Sequence, residues 1–330
     1  MDIKQIAAQL CSVSGVSGDE AQAASAVLSL LSNYTDDCGI DKFYNVFGRI
    51  GVQDKNRPTL LLDAHIDRVG LIVTYIDDDG FIKASPIGID ERVLPAQTVT
   101  VHGARKIKGV ISTFPPHVKE KKSDGIVIDT GFTKQQLEGA VAIGDRITVD
   151  CTPRMLNEEV IVASALDDRA GVISILYALE LLKERKLKYN LEVTFTTQEE
   201  TGESGATIAA FNTNADLALE MDVSFAHTPD ADRDKCGEMG KGVMIGIAPS
   251  LDRRMSNALI HIAGEKNIPY QLEVMNGRTG TNADSISVTK GGIPSCTLSI
   301  PLKYMHTPTE TVNVNDIVAT SRLIAEFAAE

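Results

Sequence analysis

Five short segments of this 330-residue chain place histidine and carboxylate side chains where apolar runs end. The segments are His65-Ile66-Asp67, Asp167-Asp168-Arg169, Gln198-Glu199-Glu200, Glu220-Met221-Asp222 and Tyr304-Met305-His306. Imidazole and carboxylate ligands suit Zn²⁺, Co²⁺ and Mn²⁺, and two such ions roughly 3.5–4 Å apart can share a carboxylate and a water molecule. A further carboxylate is needed to take a proton from that water. The combination indicates a two-metal centre that activates water.

Each segment alone has an ordinary structural explanation. A pair such as His65 and Asp67 is far more often a surface or core pair than a metal site. Asp167-Asp168 could cap a helix, and Glu199-Glu200 could be a solvated strand end. Adjacent glutamates point in opposite directions on an extended strand, so both can reach one centre only if the chain turns there. It is the combination of segments that favours a metal centre.

The surrounding elements predict an α/β layer with a mixed, mostly parallel sheet. Alternating apolar patterns predict strands and helices at 59–62, 168–186, 191–197, 216–222, 255–266, 270–274, 296–300 and 315–330. The first 35 residues have a helical pattern, and Ser17-Gly18-Asp19-Glu20 has the spacing of a capping box. Ligands bind beyond the carboxyl ends of the strands in such sheets, so residues far apart in sequence can converge there.

Between residues 67 and 160 the pattern changes to short apolar runs separated by Gly, Pro and Asp. The runs at 70–75, 98–101, 125–128 and 146–149 are typical of strands joined by turns. We therefore expect a barrel-like all-β domain of residues 67–160. It would be inserted into a catalytic α/β domain formed by residues 1–66 and 161–330.

Composition excludes several classes of partner. The net charge of -13 would repel nucleic acid and anionic lipid, and Lys119-Glu120-Lys121-Lys122 is expected to be a solvated turn. No apolar stretch approaches the roughly 20 residues of a membrane span, and the start lacks a secretory signal pattern, so a cytoplasmic protein is expected. The five scattered cysteines argue against a disulfide framework or a structural zinc cluster. His102, His117, His227 and His261 lie outside the five segments.

The same segments, read in order, resemble the tetrahedral aminopeptidase family. This family includes glutamyl, lysyl and deblocking aminopeptidases and proteins labelled endoglucanases. The matching stretches are Ser14-Gly15-Val16-Ser17-Gly18-Asp19-Glu20, Asp63-Ala64-His65-Ile66-Asp67-Arg68-Val69-Gly70, Ala165-Leu166-Asp167-Asp168-Arg169-Ala170-Gly171, Thr197-Gln198-Glu199-Glu200-Thr201-Gly202, Glu220-Met221-Asp222-Val223 and Ile300-Pro301-Leu302-Lys303-Tyr304-Met305-His306-Thr307-Pro308-Thr309-Glu310. They run in family order over nearly the whole length of the chain, and the resemblance implies a zinc-peptidase-like fold.

The resemblance also implies a ligand set. One metal would be held by His65 and Asp222 and the other by Glu200 and His306, with Asp167 bridging both. Zn²⁺ or Co²⁺ is the expected pair, and Mn²⁺ is a further candidate.

Three supporting features follow from the same resemblance. Glu199 would be the general base, and Asp67 would orient His65 through its second ring nitrogen. The peptide bond between Asp167 and Asp168 would be cis.

The activity implied is that of an aminopeptidase, which removes the first residue of a peptide. The inserted β domain would build dimers and, in a homo-oligomer, a tetrahedral dodecamer. A deacylase or carboxypeptidase with the same centre, an endoglucanase that needs only two carboxylates, and a non-catalytic assembly protein are the alternatives. Gly280-Thr281-Asn282-Ala283 departs from the family's Gly-Thr-Asp-Ala, so Asn282 leaves the preferred first residue open.

Overall fold

The computed structural model describes residues 1–113, 125–229 and 231–330. The helices are α1 (Ile3–Cys11), α2 (Ala21–Leu31), α3 (Lys134–Leu137), α4 (Leu166–Leu182), α5 (Ser204–Asn212), α6 (Arg253–Glu265), α7 (Asn282–Val288) and α8 (Val314–Ala328). The strands are β1 (Cys38–Ile40), β2 (Val46–Ile50), β3 (Thr59–His65), β4 (Gly70–Ile76), β5 (Ile82–Ile87), β6 (Thr98–His102), β7 (Lys106–Ile111), β8 (Ile126–Asp129), β9 (Arg146–Val149), β10 (Arg154–Met155), β11 (Val160–Ala163), β12 (Asn190–Thr196), β13 (Leu217–Phe225), β14 (Val243–Ile247), β15 (Tyr270–Val274), β16 (Ser295–Lys303) and β17 (Glu310–Asn313).

A mixed sheet forms the centre of the α/β layer. Its central strands β12, β3, β13 and β16 are parallel, and antiparallel strands extend it on both sides. The parallel strands are apolar along most of their length because helices such as α4 and α8 cover the sheet. The first strands, β1 to β3, belong to this sheet. The predicted fold class, including its largely parallel centre, is confirmed.

The second part is a closed six-stranded antiparallel barrel. Its strand order is β4-β5-β8-β7-β6-β9, and β9 pairs back to β4 where Leu71 lies opposite Ile147. Closure removes exposed strand edges, and alternate side chains such as Val99 and Ile128 fill the interior with a separate apolar core. All barrel strands lie between residues 70 and 149, as the pattern of short apolar runs predicts.

One local prediction was wrong, and others concern residues outside the described ranges. Glu20 precedes α2 without a side-chain cap, so the capping box is absent. The Ser17 hydroxyl instead donates to Asp67 Oδ2 at 2.6 Å. The predicted turn at 119–122 and His117 lie outside the described residues. None of the helices in the described ranges has the length and apolar character needed to cross a membrane.

Candidate metal centre

The carboxyl ends of the parallel strands gather the predicted side chains at one edge of the sheet. His65 is the last residue of β3, Asp222 lies in β13, and Glu200 lies in the turn after β12. His306 follows β16, and Asp167 lies in the first turn of α4. Because parallel strands end at a common edge, residues separated by as many as 241 positions (65 to 306) meet there.

Asp167 lies between two histidines. Its Oδ1 is 3.1 Å from His65 Nε2, and its Oδ2 is 3.4 Å from His306 Nε2. His306 Nε2 is also 3.3 Å from Glu200 Oε2, and His65 Nε2 is 3.9 Å from Asp222 Oδ1. Two ligand atoms bound tetrahedrally to one Zn²⁺ are about 3.3 Å apart. The three shorter separations therefore match those of atoms that share an ion.

A sharp turn after β12 directs both glutamates to the centre. Gln198 has a positive φ of 56°, and the chain leaves the strand before Glu199. Glu199 Oε2 lies 3.9 Å from His65 Nε2. The turn that both adjacent glutamates require in order to reach one centre is therefore present.

The Asp67 carboxylate connects this turn to His65. It accepts hydrogen bonds from the backbone amides of Glu199 at 3.0 Å and Glu200 at 3.3 Å, and a third from the Ser17 hydroxyl. Its Oδ1 is 3.5 Å from His65 Nδ1, while the Asp67 carbonyl oxygen is closer at 3.2 Å. Asp67 thus contacts the second ring nitrogen through two groups and also fixes the glutamate turn.

Burial disfavours the charged forms of the carboxylates around these histidines. It raises the pKa of Glu199 to about 7, and it raises the pKa values of Glu200 and Asp222 well above the ordinary range. Glu200 Oε1 is buried and has no hydrogen-bond partner among the described residues. Buried carboxylates are stable only when paired or bound to a cation, so this donor set fits divalent metal ions.

Two neighbouring acids support the centre. Glu310 accepts hydrogen bonds from the backbone amides of Asp167 at 3.2 Å and His306 at 3.1 Å. Asp168, in the first turn of α4, accepts one from the Gly171 amide at 2.9 Å, and the Asp167–Asp168 peptide bond is cis. Sequence reasoning gave Glu310 no role, although it is four residues after His306 in a matching stretch. A glutamate among threonines and a proline resembles a surface residue.

Asn282 is fully buried and lies behind β3 and β12. Its amide donates to Asp63 Oδ2 and to Thr196 Oγ1, both at 2.8 Å. An aspartate at this position would set a second carboxylate against Asp63. The departure from the family pattern therefore affects the support of these strands, while its neighbours Gly280 and Thr281 line the cleft beside the centre.

The rim of the barrel borders the centre. The backbone amide of Asp90 donates to the His306 carbonyl oxygen at 3.1 Å. Gly88 has a φ of 70°, and a Cβ atom there would lie 3.3 Å from Glu200 Oε2. The loop after β5 thus contacts two of the candidate ligand residues.

Comparison with known proteins identifies the class. The fold and the matching family model place the chain among the peptidases, which are hydrolases. The chain belongs to the M42 glutamyl aminopeptidase family, whose model matches residues 45–323. The resemblance drawn from the sequence segments is confirmed.

Individual relatives agree along the whole length. The lysyl aminopeptidase of Pyrococcus furiosus is 29% identical over 333 residues, covering 96% of this chain and 94% of the relative. An aminopeptidase from the archaeon Desulfurococcus kamchatkensis superposes with a TM-score of 0.93 at 32% identity, covering 99% of this chain and 94% of that one. The TET1 peptidase of Pyrococcus horikoshii, described as able to assemble into a tetrahedron or a large octahedral shell, has a TM-score of 0.86 at 27% identity over 100% of both chains.

Proposed function

We propose that this chain is a two-metal aminopeptidase that hydrolyses the N-terminal peptide bond of peptides. The observation that carries the proposal is the position of Asp167, with one carboxylate oxygen beside His65 and the other beside His306. A carboxylate shared between two imidazoles is the arrangement expected of a ligand that bridges two ions. Family membership supplies the peptidase chemistry.

In this proposal five side chains hold the cations. His65 and Asp222 would bind one ion, Glu200 and His306 the other, and Asp167 both. Nitrogen and carboxylate donors suit Zn²⁺ or Co²⁺, with Mn²⁺ as a further candidate. When bound, the ions supply a water molecule of lowered pKa and polarise the scissile carbonyl.

Glu199 would act as the general base. Its carboxylate takes a proton from the water as the water oxygen bonds to the carbonyl carbon. It returns the proton to the amide nitrogen as the carbon–nitrogen bond breaks. Because burial raises the pKa of Glu199 to about 7, the group can both accept and release a proton near neutral pH. Asp67 would have a positioning role, because its carboxylate accepts from the Glu199 amide and so fixes the turn that carries the base.

A three-part assay tests the function. We expect activity on a free-amine peptide to disappear on dialysis with a chelator and to return with Zn²⁺, Co²⁺ or Mn²⁺. The same peptide acetylated at its amino end should resist cleavage. Preference for the blocked peptide would favour a deacylase, release of the last residue a carboxypeptidase, and chelator-resistant cleavage of a glucan an endoglucanase. Any of these outcomes would contradict the proposal.

We further propose that the protein is a homo-oligomer whose inserted domain, residues 67–160, forms the dimer contact. The support is the likeness to a peptidase that assembles into closed shells. Light scattering at micromolar concentration should give a mass several times 35.5 kDa, and a tetrahedral dodecamer is one such assembly. A mass of 35.5 kDa alone would contradict it.

A further inference from the structure

The cleft beside the metal centre contains a carboxylate, Glu273, that the proposed mechanism does not use. It lies on β15, and the cleft of about 500 Å³ extends from His306 to this strand. Ser299 donates to Glu273 Oε2 at 2.6 Å, and Ser224 donates to its Oε1. Each oxygen keeps a free lone pair, because an ionised carboxylate has about four acceptor positions.

The two serines set the position of Glu273 relative to the metal centre. Ser299 is the register partner of Asp222 in the neighbouring parallel strand. Ser224 follows Asp222 by two residues, which puts it on the same face of β13 about 7 Å further along. Glu273 is therefore held by two serines that are close neighbours, in the sheet, of the candidate ligand Asp222.

The side chains of β15 are oriented in the opposite way to those of an ordinary edge strand. Its apolar residues Tyr270, Leu272 and Val274 face solvent, with Val274 77% exposed. Its polar residues Gln271 and Glu273 alternate with them and are less exposed. Alternation normally places apolar side chains inward, so the inward carboxylate is a feature that packing alone would disfavour.

The rest of the cleft has the composition of a site for a long cationic side chain. Glu203 provides a second carboxylate outside the ligand set, and its Oε2 accepts from Ser285. Phe225, Met275 and Met305 provide apolar walls. Among the described residues that line the cleft, none is lysine or arginine. A glutamyl side chain of a substrate would therefore meet no lysine or arginine among these lining residues.

We infer that Glu273 selects peptides whose first residue is lysine or arginine, an inference that rests on the proposed aminopeptidase function. The aliphatic part of the substrate side chain packs against Met275 and Phe225. The ammonium or guanidinium group donates to the free lone pairs of the Glu273 carboxylate. The metal centre then faces the first peptide bond. The family names alone do not decide this point, because both glutamyl and lysyl enzymes occur among them.

The test compares p-nitroanilides of lysine, norleucine and glutamate on the metal-loaded enzyme. Norleucine has the stem of lysine without the ammonium group, so the ratio of kcat/KM values isolates the charge. A hydrogen bond between charged groups predicts a lysyl-to-norleucyl ratio of roughly ten-fold or more. The glutamyl substrate should be the poorest. A wild-type ratio near one, or a preference for glutamate, would overturn the inference without the need for a variant.

Glu273→Gln and its matched control Glu203→Gln locate the selectivity. Each removes one negative charge from the same cleft, but only the first alters the group held by Ser224 and Ser299. Glu273→Gln should reduce the ratio to near one, and Glu203→Gln, whose carboxylate accepts from Ser285 rather than from Ser224 and Ser299, should reduce it by a smaller factor. Equal effects of both variants would refute the role of Glu273. If metal-loaded wild type cleaves none of the lysyl, norleucyl and glutamyl substrates, the proposed function itself is refuted.

Discussion

The carboxylate of Asp67 accepts a hydrogen bond from the backbone amide of Glu199 at 3.0 Å. The two residues are 132 positions apart, yet this contact fixes the side chain proposed as general base relative to the last residues of β3. The same carboxylate is 3.5 Å from the His65 ring. The position of the proposed base and the orientation of His65, a candidate metal ligand, thus depend on one carboxylate.

Asp67→Asn should therefore weaken metal binding and turnover together. The amide cannot accept from two backbone amides and face the imidazole as a carboxylate does. Loss of such a supporting contact costs roughly 10–100-fold in metal affinity or activity. Isothermal titration with Zn²⁺ and the peptide assay measure both effects. Asp79→Asn, at an exposed barrel turn, is the control, and equal behaviour of the two variants would contradict the prediction.

Glu199→Gln should lose most of its turnover with both metal ions still bound. A glutamine has nearly the same shape but cannot accept the proton, and general base catalysis contributes about 10²–10⁴-fold. The variant should be compared with wild type by elemental analysis and by kcat. If kcat stays near the wild-type value at full metal content, another group is the base.

Glu310→Ala should lower stability and metal affinity. It leaves the buried amide of Asp167 and the half-buried amide of His306 without this acceptor, and a buried group left so costs about 1–3 kcal/mol. Glu310→Gln keeps one acceptor oxygen, so its stability and metal affinity should fall less than those of Glu310→Ala. Thermal unfolding and Zn²⁺ titration of the three proteins give the order. A glutamine variant as damaged as the alanine variant would show that the charge of Glu310, rather than its hydrogen bonds, is what matters.

His102 should make the barrel sensitive to acid. Its Nε2 contacts Thr148 Oγ1 at 2.8 Å, and burial lowers the pKa of the imidazole to about 4, helped by repulsion from nearby cations. The unfolded chain has the ordinary value of about 6.5 and binds more protons between these two pH values. This contribution to stability is present above pH 6.5 and is lost as the pH falls towards 4.

The measurement is the change in free energy of unfolding between pH 7.5 and pH 5. Wild type should lose about 1 kcal/mol more of this free energy on acidification than His102→Gln does, after allowance for the partial exposure of the ring. His261→Gln, at an exposed helix position, should follow wild type. The prediction fails if both variants follow wild type.

Much of the fold could be predicted because the strands that carry the site are apolar runs with clear ends. The strand Tyr270–Val274 was predicted with its observed bounds, and the barrel strands appear where turn residues separate apolar runs. Helix α7 was not predicted. It is seven residues long and is stabilised by buried contacts such as the one between Asn282 and Asp63, which only the folded chain provides.

In the site, too, residue types could be read from the sequence, whereas contacts between distant residues could not. The histidines and carboxylates could be proposed because their residue types fit metal chemistry. The Ser17 hydroxyl was assigned to a helix cap because its spacing to Glu20 fits one. It donates to Asp67 instead, because a buried carboxylate requires hydrogen-bond donors. Tertiary folding brings residue 17 beside that carboxylate.

The hydrogen bond from Asp90 to His306 limits how the barrel can be exchanged. A barrel grafted from another peptidase would bring its own loop at residues 88–90. That loop would then have to donate the same hydrogen bond to the segment after β16. Turnover of such chimaeras would therefore depend on whether the new loop keeps this hydrogen bond to the segment that carries His306.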